Sequence, residues 1–221
     1  MLITERVFQK LSSTIVPRIY VATSNPGKLA DFASAAESHG IEISALPNMG
    51  QISPPEESGS TFEENARLKA DYYSQKVPGE ILVADDSGLV VNALGGEPGV
   101  RSARYAEDAG LVAPDMDQAN NGLLLQRMEG VPDGQRCCAF VCVIAAARNG
   151  KTLQTFRAEA QGTLLREARG SNGFGYDPLF YFPSLGKSFA ELSRAEKLKV
   201  SHRGAAFQMF LDWMEVIFKS S

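Results

Sequence analysis

At 221 residues, with 44% apolar and 22% charged side chains, the chain has an ordinary globular composition, enough for one domain with a substantial core or for two small lobes. A formal net charge of −4 argues against a nucleic-acid surface held by broad positive potential, but not against a small polyanion gripped by a metal ion and a few lysines. No apolar run approaches the roughly 20 residues of a membrane-spanning helix, and the start MLITERVFQKLSSTIVPR lacks the basic opening and long apolar middle of a secretory signal.

Residues 1–17 read as a short N-terminal extension ahead of one domain over residues 18–221. RIYVATS (18–24) is β-branched and apolar and predicts a buried strand. Asn25-Pro26-Gly27 turns the chain into a helix, with Leu29, Phe32, Ala33 and Ala36 at helical spacing and Gly40 as its stop. IEISAL (41–46) is a second strand. The next loop, PNMGQISPPEESG, is long and proline-rich, and such loops in compact domains are often functional. STFEENARLKADYYSQKV predicts a strong helix, with Ser60 or Thr61 as cap and Glu63 or Glu64 closing a capping box. ILVA predicts a third strand and LVVNAL a fourth, with Asp85-Asp86-Ser87-Gly88 between them.

DMDQANNGLLLQRMEG reads as a helix weakened by Gly122. RCCAFVCVIAAA and TLQTFRAEAQGTLL are strands joined by Arg148-Asn149-Gly150-Lys151, a hairpin signal. Cys137, Cys138 and Cys142 fall in the first of these as core residues of a reducing compartment, without the histidine spacing of a zinc site. DPLFYF is a short strand, Ser193 and Glu196 cap a further helix, and FQMFLDWMEVIF makes an amphipathic or largely buried C-terminal helix. The alternation, with one antiparallel hairpin, gives an α/β class with a mixed sheet.

Chemistry concentrates at the element ends. In ATSNPGK a strand meets a helix N-terminus, where exposed N–H groups and Lys28 favour an anion, although by itself the loop reads more readily as a plain capped helix start. It is no P-loop, since Ala22 stands where that motif needs glycine and Leu29 follows the lysine. Glu56, Glu57, Glu63 and Glu64 form an acidic patch, which solvated charge at a helix start also explains. Asn65 and Lys69 share a helix face. Asp85 and Asp86 repel unless something positive is close; carboxylates suit Mg²⁺, and a β-turn is the plainer alternative. SNGFGYDPLF brackets aromatic rings with glycine, as a nucleobase platform or an ordinary turn would. Lys197, His202 and Arg203 supply donors at a helix joint, or simply a basic surface.

In order, TSNPGK, ESGSTFEENARLKA, ADDSGLVVNALGGEPGVRSARY, SNGFGYDPLF and AEKLKVSHRGAA resemble the inosine triphosphate pyrophosphatase family, which hydrolyses non-standard purine nucleoside triphosphates. The resemblance spans Thr23 to Ala206. It implies an α/β fold with a long mixed β-sheet flanked by helices, two lobes around a central cleft, and a cytoplasmic homodimer. It implies conversion of ITP, dITP or XTP with water to the monophosphate and pyrophosphate, with Mg²⁺ as cofactor and no nucleic-acid or membrane partner. The phosphate loop falls on Thr23, Ser24, Asn25, Pro26, Gly27 and Lys28, and the metal carboxylates on Glu57 and Asp86. Asp86 is also the implied general base, Lys28 and Lys69 the phosphate-contacting lysines, and Ser87 a substrate contact. Base recognition maps to Phe174, Gly175, Tyr176, Asp177, Lys197, His202 and Arg203. Asp85 is expected as a supporting partner. Departures are small: Ser58 stands where members often carry Thr, and Asn172 where they carry Gly.

Specificity on this reading comes from hydrogen-bond polarity. Hypoxanthine and xanthine present a 6-keto acceptor, adenine a 6-amino donor, and Lys197 and Arg203 can only donate. Two other functions compete: a nucleotide phosphotransferase, opposed by the missing P-loop and kinase motifs, and a non-catalytic purine nucleotide sensor, which needs neither Glu57 nor Asp86.

Overall fold

The computed structural model describes residues 18–219, so the N-terminal extension expected over residues 1–17 lies outside the described residues. Strand β1 (Arg18–Val21) leads into helix α1 (Pro26–Ala36). Asn25 caps α1 by accepting from the N–H groups of Gly27 (2.8 Å) and Lys28 (3.2 Å), and Pro26 fits a first turn that has no use for its missing N–H. A short 3₁₀ turn extends the helix to Gly40, whose φ of 63° ends it in the left-handed conformation. Strand β2 (Glu42–Ala45) then pairs parallel with β1.

Helix α2 (Phe62–Ser74) starts on the reciprocal Thr61–Glu64 capping box, which selects among the expected caps. Strand β3 (Ile81–Val91) follows as one uninterrupted strand, correcting the expectation of two strands. Asp85, Asp86, Ser87 and Gly88 pair with Ile144, Val143, Cys142 and Val141, so the turn alternative is also overturned. The two carboxylates can stay in the ladder because successive side chains leave a strand on opposite faces.

Helices α3 (Tyr105–Asp108) and α4 (Met116–Arg127) come next, then β4 (Cys137–Arg148) and β5 (Lys151–Leu164). Asn149 (φ 52°) and Gly150 (φ 79°) form the tight turn that the Asn-Gly pair predicts. Cys138 and Cys142 are buried as expected, whereas Cys137, the first residue of β4, is exposed. Strands β6 (Phe180–Phe182) and β7 (Lys187–Ser188) and helices α5 (Arg194–Val200) and α6 (His202–Lys219) complete the chain. Among the described residues the sheet has seven strands in the order β2-β1-β3-β4-β5-β6-β7, parallel among the first three and antiparallel beyond.

Two lobes share this sheet. In the first, Ile81, Val83 and Ile144 pack under α1 and α6 through Phe32, Phe207 and Phe210, while Leu82, Ala84 and Val143 pack on the opposite face under α2 through Phe62, Ala66 and Ala70. In the second, Leu89, Val91 and Phe140 join Phe180, Phe189, Leu124 and Met128. The long strands β3, β4 and β5 run through both, so residues at the middle of β3 lie at the joint.

Candidate active site

Alternation along β3 decides where each carboxylate goes. Asp85 continues the Ile81–Val83 series towards α1 and α6, and Asp86 continues the Leu82–Ala84 series towards α2. Asp85 Oδ2 meets Lys28 Nζ at 2.8 Å, accepts from Ser87 Oγ at 3.2 Å and lies 3.7 Å from Arg203 Nε. Burial alone would push this carboxyl up, but Lys28, Arg203 and Lys69 outweigh it and hold it far below the usual carboxylate range.

On the α2 side, Asp86 Oδ1 accepts from Lys69 Nζ at 2.6 Å, and the same ammonium reaches Glu57 Oε2 at 3.5 Å. Burial raises the Asp86 carboxyl above its ordinary range, with Glu57 and Asp85 adding to the effect, even though Lys69 opposes it. For Lys69, burial is outweighed by Asp86, Asp85 and Glu57, and the ammonium holds its proton more firmly than usual. Asn65, one helical turn before Lys69, accepts from Gly59 N at 2.8 Å and points Nδ2 at Asp86 Oδ2 (3.5 Å). A Cβ on Gly59 would sit 2.5 Å from Asn65 Oδ1, so glycine is what lets the Glu57 loop close onto α2.

Beside Lys28 and Ser87 opens a cavity of about 190 Å³. It gathers Asn25, Lys28, Ser87, Phe174, Gly175, Tyr176, Asp177, Lys197, His202 and Arg203 from helices, loops and β3, far apart in sequence. Asp177 Oδ2 accepts from Phe174 N (2.9 Å) and from Lys197 Nζ (2.5 Å). Lys197 Nζ and Arg203 Cζ stand 5.0 and 5.4 Å from the centre of the Phe174 ring. Gly173, at φ 78°, has no room for a Cβ, which would fall 2.0 Å from Asp177 Oδ2. Arg203 Nη2 donates to Ser87 Oγ (3.0 Å), and Nη1 lies 3.6 Å from Asp31 Oδ2.

His202 is buried with its ring stacked on Phe140, centroids 4.7 Å apart, and its Nδ1 has no hydrogen-bond partner among the described residues. Burial, reinforced by Arg203 and Lys197, lowers its pKa well below the ordinary value and keeps the imidazole neutral. The joint that delivers His202 and Arg203 is tight, since a Cβ on Gly204 would lie 1.8 Å from the Leu198 carbonyl oxygen.

Other expected residues lie outside this cavity's lining. Thr23 Oγ1 accepts from Asn25 N (3.1 Å), Ser24 and Pro26 are exposed on the turn, and Gly27 lines a neighbouring hollow of about 510 Å³ with Asp31 and the Phe174 and Lys197 side chains. Glu57, Lys69 and Asp86 form their own cluster, linked to the cavity through β3 rather than by a shared wall. Ser102, Asp117, Asn120 and Phe140 line the cavity without having been singled out in the sequence. Of these, Asn120 and Asp117 lie on α4, where helical spacing alone offered a signal.

Carboxylates gathered round a lysine thus stand one strand step from a hollow lined by Lys28, Lys197 and Arg203. The chain belongs to the Ham1 family, which residues 19–213 match. It is 50% identical over 196 residues to a dITP/XTP pyrophosphatase of Acidobacterium capsulatum, covering 87% of this chain and 96% of that protein. A dITP/XTP pyrophosphatase of Geobacillus kaustophilus is 42% identical over 201 residues, covering 90% and 95%. Among solved structures, the Staphylococcus aureus Ham1 protein superposes with a TM-score of 0.75 at 37% identity, covering 90% of this chain and 98% of that one. A Coxiella burnetii HAM1 protein gives 0.77 at 36% identity, with the same coverage.

Proposed function

We propose that this chain is a nucleoside triphosphate pyrophosphatase that converts dITP, ITP and XTP to the monophosphate and pyrophosphate. Its 50% identity to a dITP/XTP pyrophosphatase over most of both chains supports the activity. The observation that carries the assignment of the site is the convergence of Glu57 and Asp86 on one ammonium, at 3.5 and 2.6 Å, next to the hollow bounded by Phe174, Lys197 and Arg203.

Carboxylate oxygens that already share one positive group are the donor set a hard divalent cation takes, so Glu57 and Asp86 fit Mg²⁺. Bound there, Mg²⁺ would neutralise phosphate charge and polarise the anhydride. The chain's own groups account for the remaining steps. Lys28 and the capped start of α1 face the phosphates, and Lys69 stabilises the charge growing on the departing pyrophosphate. Asp86 accepts the proton of the attacking water. Phe174 supplies a face for the purine, and Lys197 and Arg203 donate towards its 6-keto oxygen. Leaving those donors unpaired against a 6-amino group disfavours ATP by roughly 10⁴-fold where such bonds are fully formed. The active form is a homodimer in the cytoplasm.

A turnover panel of ITP, XTP, GTP and ATP with Mg²⁺ tests the reading. Monophosphate with pyrophosphate from ITP and XTP is the expected outcome. IDP with orthophosphate would make the protein a terminal phosphatase, phosphoryl transfer to an acceptor would make it a phosphotransferase, and tight binding without turnover would make it a sensor.

A further inference from the structure

Phe174 is held by more than its own packing. The peptide groups on either side of its ring are pinned, one by a side chain three residues on and the other by side chains from α4. Its own N–H donates to Asp177 Oδ2 at 2.9 Å. The following residue, Gly175, is held from both ends: its N–H donates to Asp117 Oδ2 at 2.7 Å, and its carbonyl accepts from Asn121 Nδ2 at 2.9 Å. Gly175 needs such fixing, because at φ 62° with open space around it glycine would otherwise be the loosest link in the loop.

Asp117 and Asn121 stand one turn apart on α4 and therefore present one face to the loop. Helix α4 is itself anchored. Leu123 and Leu124 are buried in the second lobe, and the Asn120 side chain accepts from Ala106 N (2.8 Å) and donates to the Ala103 carbonyl (3.2 Å). The rigid lobe thus reaches the ring through two side chains and one glycine. Asp117 also lines the cavity itself.

We propose that Asp117 and Asn121 are positioning residues for the nucleobase: by clamping both backbone groups of Gly175 they hold the Phe174 ring at the stacking distance from the base. This rests on the reading of Phe174 as the base platform.

The clamp makes opposite demands at its two ends, and near-isosteric variants separate them. Asn121→Asp changes little in size but sets a carboxylate against the Gly175 carbonyl. Asp117→Ala removes the acceptor, and Asp117→Asn restores one. The expected result is a KM for ITP raised about tenfold by Asn121→Asp and by Asp117→Ala, with kcat within about twofold, the scale set by the loss of one or two hydrogen bonds. Asp117→Asn recovers most of the KM lost in Asp117→Ala, and amide exchange at Gly175 quickens in the alanine variant only. Phe174→Ala serves as the control. If it leaves KM unchanged, the platform reading falls and this inference with it. If it raises KM while Asn121→Asp and Asp117→Ala do not, the platform stands and the clamp is overturned. A fall in kcat at constant KM would likewise overturn it.

Discussion

Neighbouring carboxylates on β3 should respond oppositely to the same substitution. Asp85 is 4% exposed and compensates Lys28 at 2.8 Å and Arg203 at 3.7 Å, so Asp85→Asn leaves two cations facing a neutral amide. Breaking a buried pair from one side costs about 3–5 kcal/mol. Lys28 retains 19% side-chain exposure and can turn towards water, and Arg203 keeps Asp31 at 3.6 Å, which favours the lower end, about 3 kcal/mol. At roughly 2–4 °C per kcal/mol for a chain of this size, Tm at pH 7 falls by about 6–12 °C. Asp86→Asn removes a carboxylate that burial already disfavours, and Lys69 keeps Glu57, so its Tm moves by only about 2–4 °C. Turnover should behave the other way, with Asp86→Asn losing about 10²–10⁴-fold as expected for a lost general base. The pH dependence checks the sign. The folded pKa of Asp85 lies below the unfolded value of about 3.9, so its contribution is intact above that pH and drains away below it. Wild type and Asp85→Asn should therefore converge in Tm on the acid side of about pH 4. Calorimetry of both variants with an ITP turnover assay decides the matter. An Asp85→Asn protein that melts within about 2 °C of wild type, or an Asp86→Asn protein that is the less stable of the two, refutes the division of labour.

Three further outcomes follow from the geometry. Gly59→Ala drives a Cβ to 2.5 Å from Asn65 Oδ1, so the Glu57 loop must shift, costing about 1–3 kcal/mol; a titration should show a several-fold higher Mg²⁺ requirement for ITP turnover. His202, neutral when folded, cannot take the proton that the unfolded chain binds below about pH 6.5, so stability drains as pH falls past that value; His202→Gln should flatten the loss of Tm between about pH 7 and 5. Lys197→Ala and Arg203→Ala should each narrow the ITP-over-ATP ratio of kcat/KM, and an unchanged ratio removes that residue from base reading.

Much of this architecture was readable from local patterns because capping boxes and the Asn-Gly hairpin act over a few residues. Thr61 with Glu64, Ser193 with Glu196, and Asn149-Gly150 all stand where their chemistry places them. The continuity of β3 was not readable, because charge inside an apolar run mimics a turn. Only the opposite faces, with Lys28 and Arg203 on one and Lys69 on the other, make such a strand tolerable. Asp117 and Asn121 were invisible for another reason: they act on Gly175, 58 and 54 residues away, and a side chain that serves a distant backbone leaves no local periodicity. Arg136 misleads most. It opens the expected strand RCCAFVCVIAAA, yet it stands just before β4, is 2% exposed and donates to the carbonyls of Met128, Leu164 and Leu165.

The same bookkeeping of donors and acceptors shows how a hollow lined by Lys28, Lys197 and Arg203 would, on the proposed function, select by hydrogen-bond direction rather than by charge. Lys197 is compensated by Asp177, and Arg203 by Asp85 and Asp31, so the hollow presents directed N–H groups without a large net field. A neutral base entering it gains little from charge and much from placing an acceptor where a donor points. The phosphates experience the reverse. Near them Lys28 and Lys69 are bound to carboxylates in the free protein, and a polyanion must share those ammonium groups with Asp85, Asp86 and Glu57. On the proposed function, affinity for the triphosphate would therefore depend on neutralising the Glu57–Asp86 pair. Discrimination between bases, on the same proposal, would depend instead on the Lys197 and Arg203 donors beside Phe174 and on how firmly its ring is held.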